Sequence, residues 1–153
     1  MDKEVSINIK SVQTAENMKD TTELFTRGRL KRGRARGNYT IVYEESEATG
    51  FDGNTVSFAV KGDDMVVMQR RGNSPTDIIV EKGKKHHCHY GTPYGDFMVG
   101  ITAGDIKGNL KDDGGDLYLK YTIDINSSLM SENEMFIDFK ELGRDGKSQI
   151  ANK

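Results

Sequence analysis

The sequence predicts an all-β protein: a single antiparallel β-barrel, mostly up-and-down, with little or no helix. Three observations point there. Leu117, Leu119, Tyr121, Ile123 and Ile125 alternate with Tyr118, Lys120, Thr122, Asp124 and Asn126, a period of two that marks a half-buried strand. A helical template started at Leu117 would place Lys120 and Asp124 on the apolar face. Seventeen Gly against two Pro, with no low-complexity run, fit many short strands joined by tight turns. No amphipathic helix of normal length is present, and no gap is long enough for the crossovers of a parallel sheet.

The other strands follow in order. Val5, Ile7 and Ile9 alternate with polar neighbours, and residues 13–21 read as a polar loop. Leu24, Thr26, Gly28 and Leu30 share one face of a second strand and Arg27, Arg29 and Lys31 the other, with a turn near Gly33 or Gly37. Tyr39, Ile41 and Tyr43 form the next strand, and Phe51-Asp52-Gly53-Asn54 is a turn signal. Val56, Phe58 and Val60 precede a turn at Gly62-Asp63-Asp64, and Met65-Val66-Val67-Met68 is apolar on both faces. After Gly72-Asn73-Ser74-Pro75 come Ile78-Ile79-Val80, an extended stretch from His86 to Tyr90, and a corner at Gly91-Thr92-Pro93-Tyr94-Gly95. Phe97, Val99 and Ile101 share a face, whereas Ile106 and Leu110 sit in a weaker segment that suits an edge strand. Asp112-Asp113-Gly114-Gly115 turns into the strand at 117, and Met135, Ile137 and Phe139 supply the last. Nine to eleven short strands result, and barrel closure would remove their exposed edges. Residues 1–141 form the single domain and 142–153 a polar C-terminal tail.

The motif order Tyr43-Glu44-Glu45, Thr55-Val56, Arg71-Gly72, Gly83, Tyr90 with Thr92-Pro93-Tyr94-Gly95, and Asp113-Gly114-Gly115-Asp116-Leu117 resembles the YwiB-like family of small bacterial proteins, a domain-of-unknown-function family. The resemblance covers about residues 5–141, and the Thr-Pro-Tyr-Gly corner followed by Asp-Gly-Gly-Asp-Leu is its most specific part. It implies a calycin-like (lipocalin-like) barrel. The family has no established activity, so the resemblance assigns no catalytic or binding residue. The Arg-rich hairpin and the His-His-Cys-His run are features of this chain.

Bulk properties exclude several classes. A formal net charge of −2 gives no global attraction to nucleic acid or anionic membranes. One Cys rules out an internal disulfide. No apolar run approaches a membrane span, and the N-terminus lacks the apolar core of a signal peptide, so a cytoplasmic protein without membrane contact is expected.

Four groups of residues are candidates for chemistry. On a strand, His87 and His89 face one side and His86 and Cys88 the other, so His86-His87-Cys88-His89 offers two zinc ligands per face where a closed site needs about four. A polar outer face with Cys88 packed inward is the simpler reading. Arg27, Arg29, Lys31, Arg32, Arg34 and Arg36 form a basic hairpin without an intervening acid, and Gly28, Gly33 and Gly37 leave its backbone open to a phosphate. Tyr39 is its only close stacking aromatic, and the nearby Glu44, Glu45 and Glu47 balance a merely solvated tip. Third, Tyr39, Tyr43, Phe58, Phe97, Tyr121 and Phe139 face the barrel interior, where they line a ligand pocket or fill a core. Finally, Asp112, Asp113 and Asp116 bracket a double Gly and suit a hairpin turn better than a calcium loop. No nucleophile elbow or phosphate loop is present, and neither catalytic residues, nor a metal, nor a cofactor are expected.

The leading expectation is therefore a non-enzymatic binder of a small apolar or amphipathic molecule held in the barrel. The competing one is an interaction module contacting RNA or an acidic protein partner through hairpin 27–36. Monomer and homodimer are both open, the latter through an edge strand or an exposed Met face near Met130 and Met135.

Overall fold

The computed structural model describes residues 2–35, 37–45, 53–72, 75–92, 95–111 and 113–142, without the side chains of Asp2, Thr92 and Leu110. Phe51 and Asp52, Asn73 and Ser74, Pro93 and Tyr94, Arg36, Glu47, Asp112 and the tail beyond 142 lie outside the described residues. Ten strands are present among the described residues: β1 (Asp2–Ala15), β2 (Met18–Arg32), β3 (Asn38–Glu44), β4 (Thr55–Lys61), β5 (Met65–Arg71), β6 (Thr76–Glu81), β7 (Lys85–Thr92), β8 (Gly95–Lys111), β9 (Gly114–Ile125) and β10 (Ser128–Glu141). Each pairs antiparallel with its neighbours in sequence, and β1 also pairs with β10, which closes the barrel.

The period-two pattern becomes an inward face. Val5, Ile7, Leu30, Ile41, Phe58, Val66, Val80, Val99, Ile101, Leu117, Leu119 and Ile137 are all buried in one core. Their burial, at roughly 1.5–3 kcal/mol for each large side chain, is the main favourable term of folding. Tyr39, Tyr43, Tyr121 and Phe139 join them, with the Tyr39 and Phe139 rings 5.7 Å apart.

The strands are unequal. β1, β2, β8, β9 and β10 run for 12 to 17 residues, whereas β3 to β7 have six to eight. A long wall therefore overhangs a short one. Two-residue turns end the long hairpins: Glu16 (φ 52) and Asn17 (φ 65) join β1 to β2, and Asn126 (φ 52) and Ser127 (φ 67) join β9 to β10. Both pairs of positive φ values are those of a type I′ turn, whose twist matches the flanking strands.

Three expectations need correction. Residues 13–21 are not a loop, since 13–15 complete β1 and 18–21 begin β2. Apart from Ala15 and Met18 their side chains are polar, and those described in 18–21 are exposed, because this hairpin tip projects past the core. Ile106 does not lie on a barrel edge strand. It is fully buried in β8, which pairs with β9 on both sides of a bulge between Ala103 and Asp105. The extra residue moves the inward face from Val99 and Ile101 to Ile106, which breaks the alternation in the sequence. Phe97 has the inward parity but is 47% exposed, because it sits at the start of β8 beyond the packed core.

Gly28 also has a different role from the one expected. A Cβ there would lie 2.1 Å from the Val42 carbonyl oxygen and 2.8 Å from Ile7 Cδ1. The glycine admits the β3 backbone at close range. Gly28→Ala is expected to destabilise the fold by about 3 kcal/mol, measured by urea denaturation. Unchanged stability would mean that β2 and β3 pack less closely than described.

Candidate functional site: the two mouths of the barrel

The core fills the middle of the barrel and leaves a cavity at each end. At the end where β3 and β5 finish, a cavity of about 350 Å³ is lined by Ile9, Leu24, Tyr43, Val56, Phe58, Met68 and Met135, with Ser11, Thr22, Glu23, Glu45 and Arg70 as its polar residues. Glu45 continues the inward parity of Tyr39, Ile41 and Tyr43. Arg70 continues that of Val66 and Met68. Two opposite charges thus face inward from neighbouring parts of the short wall.

They meet. Arg70 Nε donates to Glu45 Oε1 at 2.8 Å and Nη2 to Oε2 at 3.3 Å, a two-point contact with side-chain exposures of 12% and 3%. Backbone pairing of Glu45 N to Asn54 O at 2.8 Å holds the carboxylate at the rim. Burial, and secondarily the Glu45 charge, push the Tyr43 phenol well above its usual range. Tyr43 stays neutral, with its ring stacked on Phe58 at 6.4 Å.

The opposite mouth is polar. Its cavity of about 430 Å³ is lined by Arg32, Gly37, Tyr39, Gly62, Asp63, Gly108 and Asn109. Asp63 Oδ1 accepts from Gly108 N at 2.9 Å, and Arg32 Nη2 donates to the Lys111 carbonyl at 3.3 Å. The Tyr39 hydroxyl is buried and, among the described residues, has no hydrogen-bond partner. Burial first, then Asp116 and Asp63, raise its phenol to about 12.

A larger recess of about 530 Å³ lies on the outer face of the long wall, over Gly114 and Gly115. Asn8, Asp116, Asp138, Lys140 and the exposed Phe25 surround it. It opens on the outer side of the long wall, with Ile7, Thr26 and Phe139 also in its lining, whereas the two mouths open at the ends of the barrel.

The six aromatic residues expected inside therefore separate. Tyr43 and Phe58 line the apolar mouth, Tyr39 lines the polar one, Tyr121 and Phe139 are core, and Phe97 is exposed. The basic residues separate too. Arg27, Arg29 and Lys31 project from the outer face of β2, Arg34 is exposed in the β2–β3 turn, and Arg32 turns to the polar mouth. In the His run, Cys88 packs inward and its sulfur accepts from Ile79 N at 3.4 Å. Burial pushes that thiol up. His86 Nε2 lies 2.9 Å from Glu81, and His89 Nε2 lies 3.5 Å from Asp96. Among the described residues no three His, Cys, Asp or Glu side chains converge as metal ligands. No helix in the described residues is long and apolar enough to cross a membrane.

The Glu45–Arg70 pair escaped the sequence reading, although a signal was present: Arg70 occupies an inward position of β5, and Glu45, just past the end of β3, continues the inward parity of Tyr39, Ile41 and Tyr43.

Fold and register together define a class, the closed antiparallel barrel of ten strands with an asymmetric wall. A crystal structure of the ywiB protein from Bacillus subtilis has a similar fold, with a TM-score of 0.78 over 92% of each chain at 15% identity. Residues 7–137 match the model of the family described as a domain of unknown function (DUF1934). The chain belongs to that YwiB-like family. No curated protein matches it.

Two outcomes follow from the mouths. Glu45→Gln leaves the Arg70 guanidinium without its carboxylate in a largely buried position, and stability is expected to fall by about 3 kcal/mol. A loss below about 1 kcal/mol in chemical denaturation would place the pair in solvent. Tyr39 and Tyr121 have phenols raised to about 12, with burial the largest cause in each. Tyr118 is raised to about 12 chiefly by its hydrogen bond to Glu134. A phenol raised in the folded state stabilises fully below its unfolded value near 10, and that contribution disappears as pH rises toward the folded value. Stability is expected to decline between about pH 10 and 12, with these phenols titrating late in ultraviolet absorbance.

Proposed function

We propose that the protein is a non-enzymatic binder of a small apolar or amphipathic molecule, taken up at the mouth lined by Leu24, Tyr43, Phe58 and Met68. The observation that carries this reading is an apolar recess of about 350 Å³ whose rim holds the Glu45–Arg70 pair. That volume lies in the range of small-molecule pockets, and apolar walls with a few fixed polar groups are their usual chemistry. The packed middle of the barrel limits penetration, so the ligand is short or leaves part of itself outside. The ion pair is neutral overall and favours an uncharged or hydrogen-bonding head group over a strongly charged one.

Titration with a series of medium-chain alcohols and fatty acids, read by native mass spectrometry and calorimetry, tests it. Saturable one-to-one binding is expected, and Met68→Trp, which fills the mouth, should weaken it more than tenfold. Equal affinity in wild type and M68W, or no binding across the series, would refute the reading.

A second reading has its own observation. Arg27, Arg29 and Lys31 are exposed on one face of β2 beside a groove of about 370 Å³. Among the described residues none of the three forms an ion pair. Their spacing of roughly 6.8 Å suits successive phosphates of an extended strand. Binding of single-stranded RNA that falls with salt, and that R27S/R29S/K31S abolishes, would support it. Retention unchanged by the triple substitution would reject it.

A further inference from the structure

β2 overhangs the short wall. Its pairing with β3 runs only from Gly28 to Arg32, so residues 18–27 have β1 on one side and no partner strand on the other among the described residues. Ala15 and Met18 close the β1–β2 turn as a bonded pair. Even-numbered β2 residues therefore bond to β1, and the amides and carbonyls of Lys19, Thr21, Glu23 and Phe25 point outward. Residues 18–23 are exposed on both faces, with Met18 76% exposed. An unpaired edge of this length is a template for another strand.

We propose that a second copy of this chain occupies the edge, the two β2 strands pairing antiparallel about a twofold axis at Thr21. Charge decides both the occupant and the register. With the axis at Thr21, Lys19 faces Glu23 of the second copy twice over. Met18 faces Leu24 twice, and Thr21 faces its own copy. Facing residues share one side of an antiparallel sheet, so Lys19 and Glu23 meet on the outer face and Met18 and Leu24 on the inner one. Both charged side chains are exposed and, among the described residues, neither has an ion-pair partner within its own chain. Other registers lose this match or run into the short wall: an axis at Phe25 sets Glu23 against Arg27, but it also sets the second β2 against Gly28 and Arg29, which already pair with β3. An axis at Asp20 or Glu23 sets a carboxylate against its own copy, and an axis at Glu23 also opposes Lys19 to Arg27. An axis at Thr22 puts Asp20 against Leu24 and Lys19 against Phe25. Leu24 lines the apolar mouth, so Met18 of the second copy would extend that mouth's wall.

Sedimentation velocity of the full chain across about 1–200 µM tests the proposal, a range suited to a micromolar association. A concentration-dependent dimer is expected. Lys19→Glu and Glu23→Lys should each weaken it about tenfold, and the double swap K19E/E23K should restore it to within about threefold of wild type. Thr21→Pro removes an outward amide on an edge that tolerates proline, and should leave a folded monomer. A wild type that stays monomeric throughout overturns the proposal. A dimer that survives T21P, or is indifferent to both single charge reversals, or is not rescued by the double swap, overturns it as well.

Discussion

Pairing of the first strand with the last is the constraint on which the structure depends. Val5 lies opposite Glu141 and Thr14 opposite Glu132, so the two ends of the described chain form one continuous ladder. Without it, the inward faces of β1 and β10 would bound an open sheet and Ile7, Ile9, Ile137 and Phe139 would face water. With it, the buried inward side chains form one core around the barrel. The contact is also the least local in the molecule, so its loop-closure entropy must be met before the core rewards it. Such a barrel is expected to fold slowly, with the β1–β2 and β9–β10 hairpins as its local starting units.

Closure does not demand equal strands, and the unequal ones create the features with functional interest. Where the short wall stops, β2 continues without a partner strand on its outer side among the described residues. At the same level Ile9, Leu24 and Met135 face the last side chains of the short wall, among them Tyr43 and Met68, across the apolar mouth. At the opposite end β8 continues past β7, and Gly108 instead meets the Asp63 carboxylate from the β4–β5 turn. Cavity and free edge are therefore consequences of one mismatch in strand length, with β2 contributing to both.

Much of this was legible in the sequence, because a strand with one wet face must alternate. The inward set of β3, β4 and β9 follows directly from period two. The alternation failed where the backbone departs from a regular ladder. Gly104 lies at the bulge that reverses the parity of β8, and nothing in a period-two template anticipates an extra residue. The hairpin at 13–21 was missed because its strands have no apolar face to display, and its turn uses Glu16 and Asn17 rather than a glycine. Phe97 shows the converse: parity tells which way a side chain points, not whether anything lies there to cover it. The aromatic set could be assigned to the interior, but its division between two mouths and a core depends on strand ends, which periodicity locates poorly.

The charge pair at the apolar mouth carries a further implication. Burying two charges costs more than an apolar pair of similar size unless geometry and hydrogen bonding are good, so stability alone does not explain Glu45 and Arg70. A leucine or methionine at either position would extend the wall formed by Val56, Phe58 and Met68 and allow the core to close over the end. The ion pair prevents that closure, since the paired groups need to keep some contact with water: Arg70 is still 12% exposed. It thereby holds the rim polar above an apolar floor. A molecule with both characters fits that gradient, its apolar part against Phe58 and Met68 and its polar part at the level of the pair. A wholly apolar molecule would leave the rim desolvated without a partner, and a wholly polar one would do the same to itself at the floor. On the proposed reading, an amphipathic ligand would thus be favoured over a purely apolar one by the same two side chains that make the mouth costly to bury.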